Sequence, residues 1–109
     1  MVRILPGEVV SLGTGVAVAC EANEVISICG RSGMAFKDKI WVFNDTIDSN
    51  YRDEVRVQLM NVGDKAYWVQ PGDCIAQAVV HVINAKPWVH VDVLDATDRG
   101  TDGFGASGR

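Results

Sequence analysis

The feature that most constrains this chain is its punctuation. Eight apolar runs, at residues 9–12, 16–19, 25–29, 40–43, 55–60, 67–69, 75–83 and 88–94, are each nine residues or shorter. Most are separated by turn chemistry: Pro6-Gly7, Gly13-Thr14-Gly15, Glu21-Ala22-Asn23, Gly63-Asp64 and Pro71-Gly72-Asp73. Val55, Val57 and Leu59 alternate with Arg56 and Gln58, the period-two pattern of a half-buried strand. Many short strands at such spacing predict an antiparallel all-β sandwich or barrel. Residues 67–69, the Pro-Gly-Asp turn and the run from Ile75 read as a β-hairpin. Within that last run Ala76, Ala78, Val80 and Val82 share one face, while Gln77 and His81 point the other way.

Two segments break the pattern. Ser32-Gly33-Met34-Ala35-Phe36-Lys37 predicts one short helical turn, with Ser32 where an N-cap would stand. From Asp98 the chain runs DRGTDGFGASGR, with four glycines in twelve residues and Phe104 as the only large apolar side chain. Taken alone, this is a flexible tail. The expected organisation is one domain over 1–97 and a glycine-rich arm over 98–109.

Bulk properties narrow the function classes. A chain of 109 residues buries roughly 65% of its unfolded surface, enough for one real core. The net charge of −4 argues against direct nucleic-acid binding, which wants a basic footprint, but leaves room for a local arginine cluster on an anionic small molecule. Three cysteines, an odd number with no CxxC pair, argue against a disulfide framework or a structural zinc site. Cys20, Cys29 and Cys74 sit among Val, Ile and Ala, which predicts buried free thiols and a reducing, cytoplasmic setting. No apolar run resembles a signal peptide or a membrane span. His81 and His90 lack a neighbouring ligand cluster, and Trp41, Trp68 and Trp88 read as core or subunit-interface aromatics.

Four segments could carry chemistry, and each has an ordinary structural reading beside it. Gly30-Arg31-Ser32-Gly33 sets a cation, a hydroxyl and free backbone N–H groups at the start of a turn, which suits an anion; it also suits a simple capped turn. Asp48 lies in a turn before a strand, with Tyr51 three residues on, and could equally make only local turn hydrogen bonds. Gln77 lies on the less apolar face of a long strand. Arg99 with spaced glycines and Phe104 could wrap phosphates while the ring covers a base.

In combination and order these segments are specific. Read as GRSGMAFK, TIDSNYRDEVRVQLMN, PGDCIAQAVV and RGTDGFGASG, the chain resembles the trimeric dUTPase family (deoxyuridine triphosphate nucleotidohydrolase) over nearly its whole length. The family's RSG-x-A-x-K, ID-x-x-YRGE, GD-x-IAQ and RG-x-GGFG-x-x-G segments all have counterparts here. The resemblance implies a β-jelly roll of the β-clip type with a flexible C-terminal arm, and hydrolysis of dUTP to dUMP and pyrophosphate with Mg²⁺. It also implies a homotrimer whose sites lie between subunits. By similarity Asp48 is the general base toward the attacking water, and Tyr51 packs on the deoxyribose and excludes a 2′-hydroxyl. Arg31, Ser32, Gly33 and Gln77 lie on the phosphate side. Arg99 neutralises the γ-phosphate, Phe104 stacks on uracil, and Gly103 and Gly105 let backbone amides approach the phosphates.

The chain also departs from the family pattern. The family carries an upstream AG-x-DL segment whose Asp belongs to the outer shell of the Mg²⁺ site, whereas this sequence opens MVRILPGEVV. Gly30 replaces a usual Pro, and Asp45, Asp53 and Asp102 stand where glycines are usual. Asp is expected to hold these turns because it tolerates left-handed backbone. The departures support a second reading, a catalytically impaired nucleotide-binding or regulatory protein on the same fold. The sister branch that deaminates dCTP fits less well, since GMAFK and the FG arm follow the dUTPase branch. A viral origin would place the protein in the host-cell cytoplasm.

Overall fold

A computed structural model describes residues 1–43, 45–84 and 86–103. Eight strands form around one helical turn: β1 Val2–Ile4, β2 Val9–Gly13, β3 Glu24–Cys29, the π-helical turn Met34–Asp38, β4 Ile40–Val42, β5 Asp45–Ile47, β6 Arg56–Asn61, β7 Tyr67–Val69 and β8 Gln77–Val82. Every pairing among them is antiparallel, in three small sheets ordered β1-β7, β2-β6-β4 and β5-β3-β8. The all-β expectation is met. Its physical source is the alternation along β6, where Val57 and Leu59 are buried while Arg56 and Gln58 are exposed. Opposite Leu59 stand Val10 of β2 and Val42 of β4, both partly buried and packed against the core. With Ile4, Ile26, Ile28, Met34, Ile40, Val55 and Val69 these residues form the core. Burying an aliphatic side chain of this size is worth about 1.5–3 kcal/mol.

Several local expectations are overturned. The hairpin from 67–69 into the run after Ile75 does not form: β7 pairs with β1, and β8 pairs with β3. Pro71-Gly72 makes a turn, with Gly72 at φ +91°, but residues 73–76 lie outside any strand and carry the chain to another sheet. Residues 16–19 and 88–94 form no strand despite their apolar content. Two strands, β1 and β5, were too short to read from pattern. Ser32 is not a side-chain cap: Gly33 takes the N-cap position and no side-chain hydrogen bond closes the turn. The turn ends at Lys39, whose N–H bonds back to the Met34 carbonyl and whose φ of +59° is left-handed. Among the described residues Lys39 is the only non-glycine with positive φ, so Asp45, Asp53 and Asp102 do not rely on left-handed backbone. Asp45 and Asp53 instead accept the N–H of the next residue on Oδ1, at 2.8 and 2.7 Å.

The three cysteines are free, as expected, but Cys74 is exposed and the other two only half-buried. Trp41, Trp68 and Trp88 all lie on the surface, Trp88 completely, so none belongs to the core of the chain. No helix among the described residues is long and apolar enough to cross a membrane.

One polar residue is wholly inside. Asn61 ends β6 in the same phase as Val57 and Leu59 and has no exposed surface. Its Nδ2 donates to the carbonyls of Ile4 (2.9 Å) and Lys65 (2.7 Å), and its Oδ1 accepts from Gly63 N–H (2.9 Å). The side chain ties β1 and the 61–65 turn to the end of β6, and buried amides need such partners.

The far side of the molecule is open. Every residue of β8 is exposed, including Val80 and Val82, although Val80 shares a cross-strand row with buried Ile26. Beyond it Trp88, Val89, Val93 and Leu94 are at least 80% exposed. The radius of gyration is 19.0 Å, against about 13 Å for a compact chain of this length.

Candidate functional site

The segment 48–55 connects β5 of one sheet to β6 of another, and this connection shapes a cavity of about 250 Å³. Asp48 and Tyr51 both line it, with Ile28, Ile47, Glu54, Val55 and Arg56. The local fold is a turn in which Tyr51 N–H bonds to the Asp48 carbonyl at 3.1 Å. Arg52 fastens its outer side by donating to the carbonyls of Ser49 (2.6 Å) and Tyr51 (3.0 Å). Tyr51 donates its hydroxyl to the Glu54 carbonyl at 2.8 Å, which holds the ring against the turn while 41% of the residue stays exposed. Among the described residues the Asp48 carboxylate has no hydrogen-bond or ion-pair partner. The side chain is exposed, and the turn closes through backbone bonds instead.

A second group assembles elsewhere. Gln77 opens β8 opposite Cys29, the last residue of β3. Its Nε2 donates to the Gly30 carbonyl at 2.9 Å. That bond fixes the chain just before Arg31 and Ser32, both exposed, and just before Gly33, whose φ and ψ of −61° and −44° begin the helical turn. The Ala35 N–H bonds back to the Arg31 carbonyl at 3.1 Å. The structure therefore brings Gln77 and the 30–33 turn together. The cavity holding Asp48 and Tyr51 is not lined by Arg31, Ser32 or Gln77. Gln77 instead borders a separate, mainly apolar cavity of about 270 Å³ that includes Ile26, Ile28 and Ala78.

In the glycine-rich stretch after Asp98, the described residues run to Gly103. Arg99 donates its Nε to the Asp102 carbonyl, and Asp102 N–H returns a bond to the Arg99 carbonyl. Gly100, at φ +55°, donates its N–H to Thr97 Oγ1 at 3.1 Å. Gly103 follows, partly covered, and a side chain there would sit 3.7 Å from the Arg99 guanidinium. Phe104 and Gly105 lie outside the described residues.

Sequence reasoning missed the loop that braces this site. Gly13-Thr14-Gly15 was legible only as a turn, yet it grips the segment after Tyr51. Thr14 N–H and Oγ1 both donate to the Val55 carbonyl, at 3.2 and 2.7 Å, and Val55 N–H donates to the Val16 carbonyl at 2.8 Å. Gly15 N–H donates to Glu54 Oε2 at 2.8 Å. A glycine at the end of a strand is a signal of close approach, and it was available at Gly13.

Among the described residues no three His, Cys, Asp or Glu side chains converge where they could hold a metal ion. The described carboxylates of one chain do not make a metal cage.

Comparisons with known proteins agree with this architecture. The structure is similar to a mutant dUTPase of Staphylococcus bacteriophage 80alpha with dUpNHpp (TM-score 0.93, 22% identity, 99% of this chain and 80% of that one). It is also similar to a mutant dUTPase from phage phi11 of S. aureus, described with the coordination of a structural Mg(II) ion (TM-score 0.81, 20% identity, 87% and 79%). In sequence it is 41% identical to the deoxyuridine 5'-triphosphate nucleotidohydrolase of Nautilia profundicola, across 99% of this chain and 78% of that protein. It is 42% identical to the same-named protein of Wolinella succinogenes, across 90% and 67%. The dUTPase family model matches residues 1–108, and the chain belongs to the dUTPase family.

Proposed function

We infer that this chain hydrolyses dUTP to dUMP and pyrophosphate at a site completed by more than one copy of itself. The observation that carries the reading is the shared cavity of Asp48 and Tyr51 in a chain of this family. In this reading the Asp48 carboxylate takes a proton from water as the water oxygen bonds to the α-phosphorus and pyrophosphate departs. An exposed, unpartnered carboxylate on a braced turn suits general-base work. Tyr51 forms the sugar wall. Arg31, Ser32, Gly33 and Gln77 meet the phosphates, and their N–H, hydroxyl and guanidinium donors suit charge developing on phosphoryl oxygens. The arm, 98–109, closes over the nucleotide with Arg99 on the γ-phosphate, Gly103 and Gly105 at the phosphates and Phe104 on uracil.

Size supports assembly between copies. Ligand sites commonly need about 300–1,000 Å³, and the 250 Å³ cavity at Asp48 suits a base and sugar better than a whole triphosphate. The phosphate-side residues lie outside that cavity, β8 and the segment after it leave large apolar surfaces open, and such patches mark interfaces. We propose a homotrimer, with Trp88 and its apolar neighbours covered by other copies. Mg²⁺ would come with the nucleotide, held chiefly by phosphate oxygens, as is usual for this ion. A cytoplasmic setting fits three free cysteines.

The test is pyrophosphate release from dUTP, with dTTP, dCTP and UTP as competitors. Selective turnover of dUTP, lost in Asp48→Asn, is the expected result. Binding of a non-hydrolysable dUTP analogue without turnover would instead favour a regulatory nucleotide-binding protein.

A further inference from the structure

Glu54 is the unexplained residue of the site. It is half-exposed and charged, yet it is held on three sides. Oε2 accepts from Gly15 N–H at 2.8 Å, Oε1 lies 3.4 Å from the Arg56 guanidinium, and the residue's own carbonyl accepts the Tyr51 hydroxyl at 2.8 Å. The space for this carboxylate is made by a glycine. A Cβ on Gly13 would lie 2.8 Å from Glu54 Oε2 and 3.0 Å from Oε1, so the carboxylate would have to shift from its present place. The exposed ion pair with Arg56 contributes little by itself. The charge-assisted bond from a backbone N–H is the stronger contact, and it joins the 13–15 loop to the residue that anchors Tyr51.

We propose that Glu54 is a positioning residue for sugar discrimination. By clamping onto Gly15 it fixes the carbonyl that holds the Tyr51 hydroxyl, and so fixes how closely the Tyr51 ring approaches the 2′ carbon. This deepens the reading of Tyr51 as the sugar wall and rests on it. A wall rejects one extra hydroxyl only if it cannot retreat, and misplacement of about 1 Å in a catalytic site can cost 100-fold.

The experiment compares kcat/KM for dUTP and UTP in the wild-type protein, Glu54→Ala, Glu54→Gln and Gly13→Ala. Gln keeps a side-chain oxygen for Gly15 N–H, while Ala removes it. Gly13→Ala leaves Glu54 in place but pushes its carboxylate away, so it breaks the clamp even if Glu54→Ala folds poorly. The expected result is a drop in dUTP/UTP discrimination of about tenfold or more in Glu54→Ala and Gly13→Ala, mainly through faster UTP turnover, with Glu54→Gln within about threefold of wild type. Lower thermal stability with unchanged discrimination would overturn the proposal, because a merely structural brace would give that result. If the wild-type protein itself does not prefer dUTP, the failure lies with the assignment of Tyr51 and not with the clamp.

Discussion

Replacing Asn61 by Ala tests the packing account most sharply. The side chain is fully buried and makes three hydrogen bonds, to Ile4, Lys65 and Gly63. Each is worth about 1 kcal/mol net, and a stranded buried partner costs about 1–3 kcal/mol. The Ile4 carbonyl lies beside a side chain with no exposure, so water cannot easily replace the lost donor. The sum is a loss of about 3 kcal/mol, a large share of the 5–15 kcal/mol that holds a typical domain. The backbone bonds of Asn61 to Gly7 and Glu8 survive, so the fold should persist while its melting temperature drops by about 10–20 °C. Asn61→Asp should be worse at neutral pH, since a carboxylate would face two carbonyl oxygens, and should recover in mild acid as it gains a proton. Urea unfolding followed by far-UV circular dichroism, at one fixed protein concentration because assembly stabilises by mass action, gives the difference. A loss below about 1 kcal/mol for Asn61→Ala would refute the reasoning.

Two further outcomes follow from local chemistry. Lys39→Gly should stabilise the protein by about 0.5–1 kcal/mol, because relief of the left-handed backbone outweighs glycine's extra unfolded entropy and one exposed hydrogen bond to the Phe36 carbonyl; unchanged urea midpoints would contradict this. Burial, then the negative charges of Asp38 and Asp73, raise the Tyr67 hydroxyl above its ordinary value of 10.0. The folded state thus holds this proton more tightly than the unfolded state does. The contribution is fully present below pH 10 and is lost as pH rises through the raised value. Tyr67→Phe should lose less stability than wild type between pH 9 and 11; parallel decay in the two proteins would refute the assignment.

Much of the fold was legible because β6 alternates cleanly and turn residues punctuate the runs. The misses have physical causes. Residues 88–94 read as a strand because they are apolar, but among the described residues they pair with no strand. The predicted 67–75 hairpin failed because a tight turn can also deliver the chain to a different sheet, and local signals do not say which. Asn61 carries no local signal of its role, since its three partners come from the chain around Ile4, Gly63 and Lys65. At the site, the sequence motifs singled out Asp48, Tyr51, Gln77 and the 30–33 turn, and the structure adds the bond from Gln77 to the Gly30 carbonyl. The motifs did not reveal Glu54, whose clamp depends on Gly15, 39 residues away.

The proposed site is completed by more than one copy, and Ser32, which lies outside the Asp48 cavity of its own chain, is the phosphate-side residue another copy would supply. Co-refolding Asp48→Asn with Ser32→Ala in equal amounts tests it directly, each variant being inactive alone. If every site draws these two residues from different chains, about one quarter of sites in random mixed assemblies carry both intact, because each supplier is correct half the time. The mixture is expected to hydrolyse dUTP at about a quarter of the wild-type rate. Activity no greater than that of the separate variants, in assemblies shown to have exchanged chains, would contradict it.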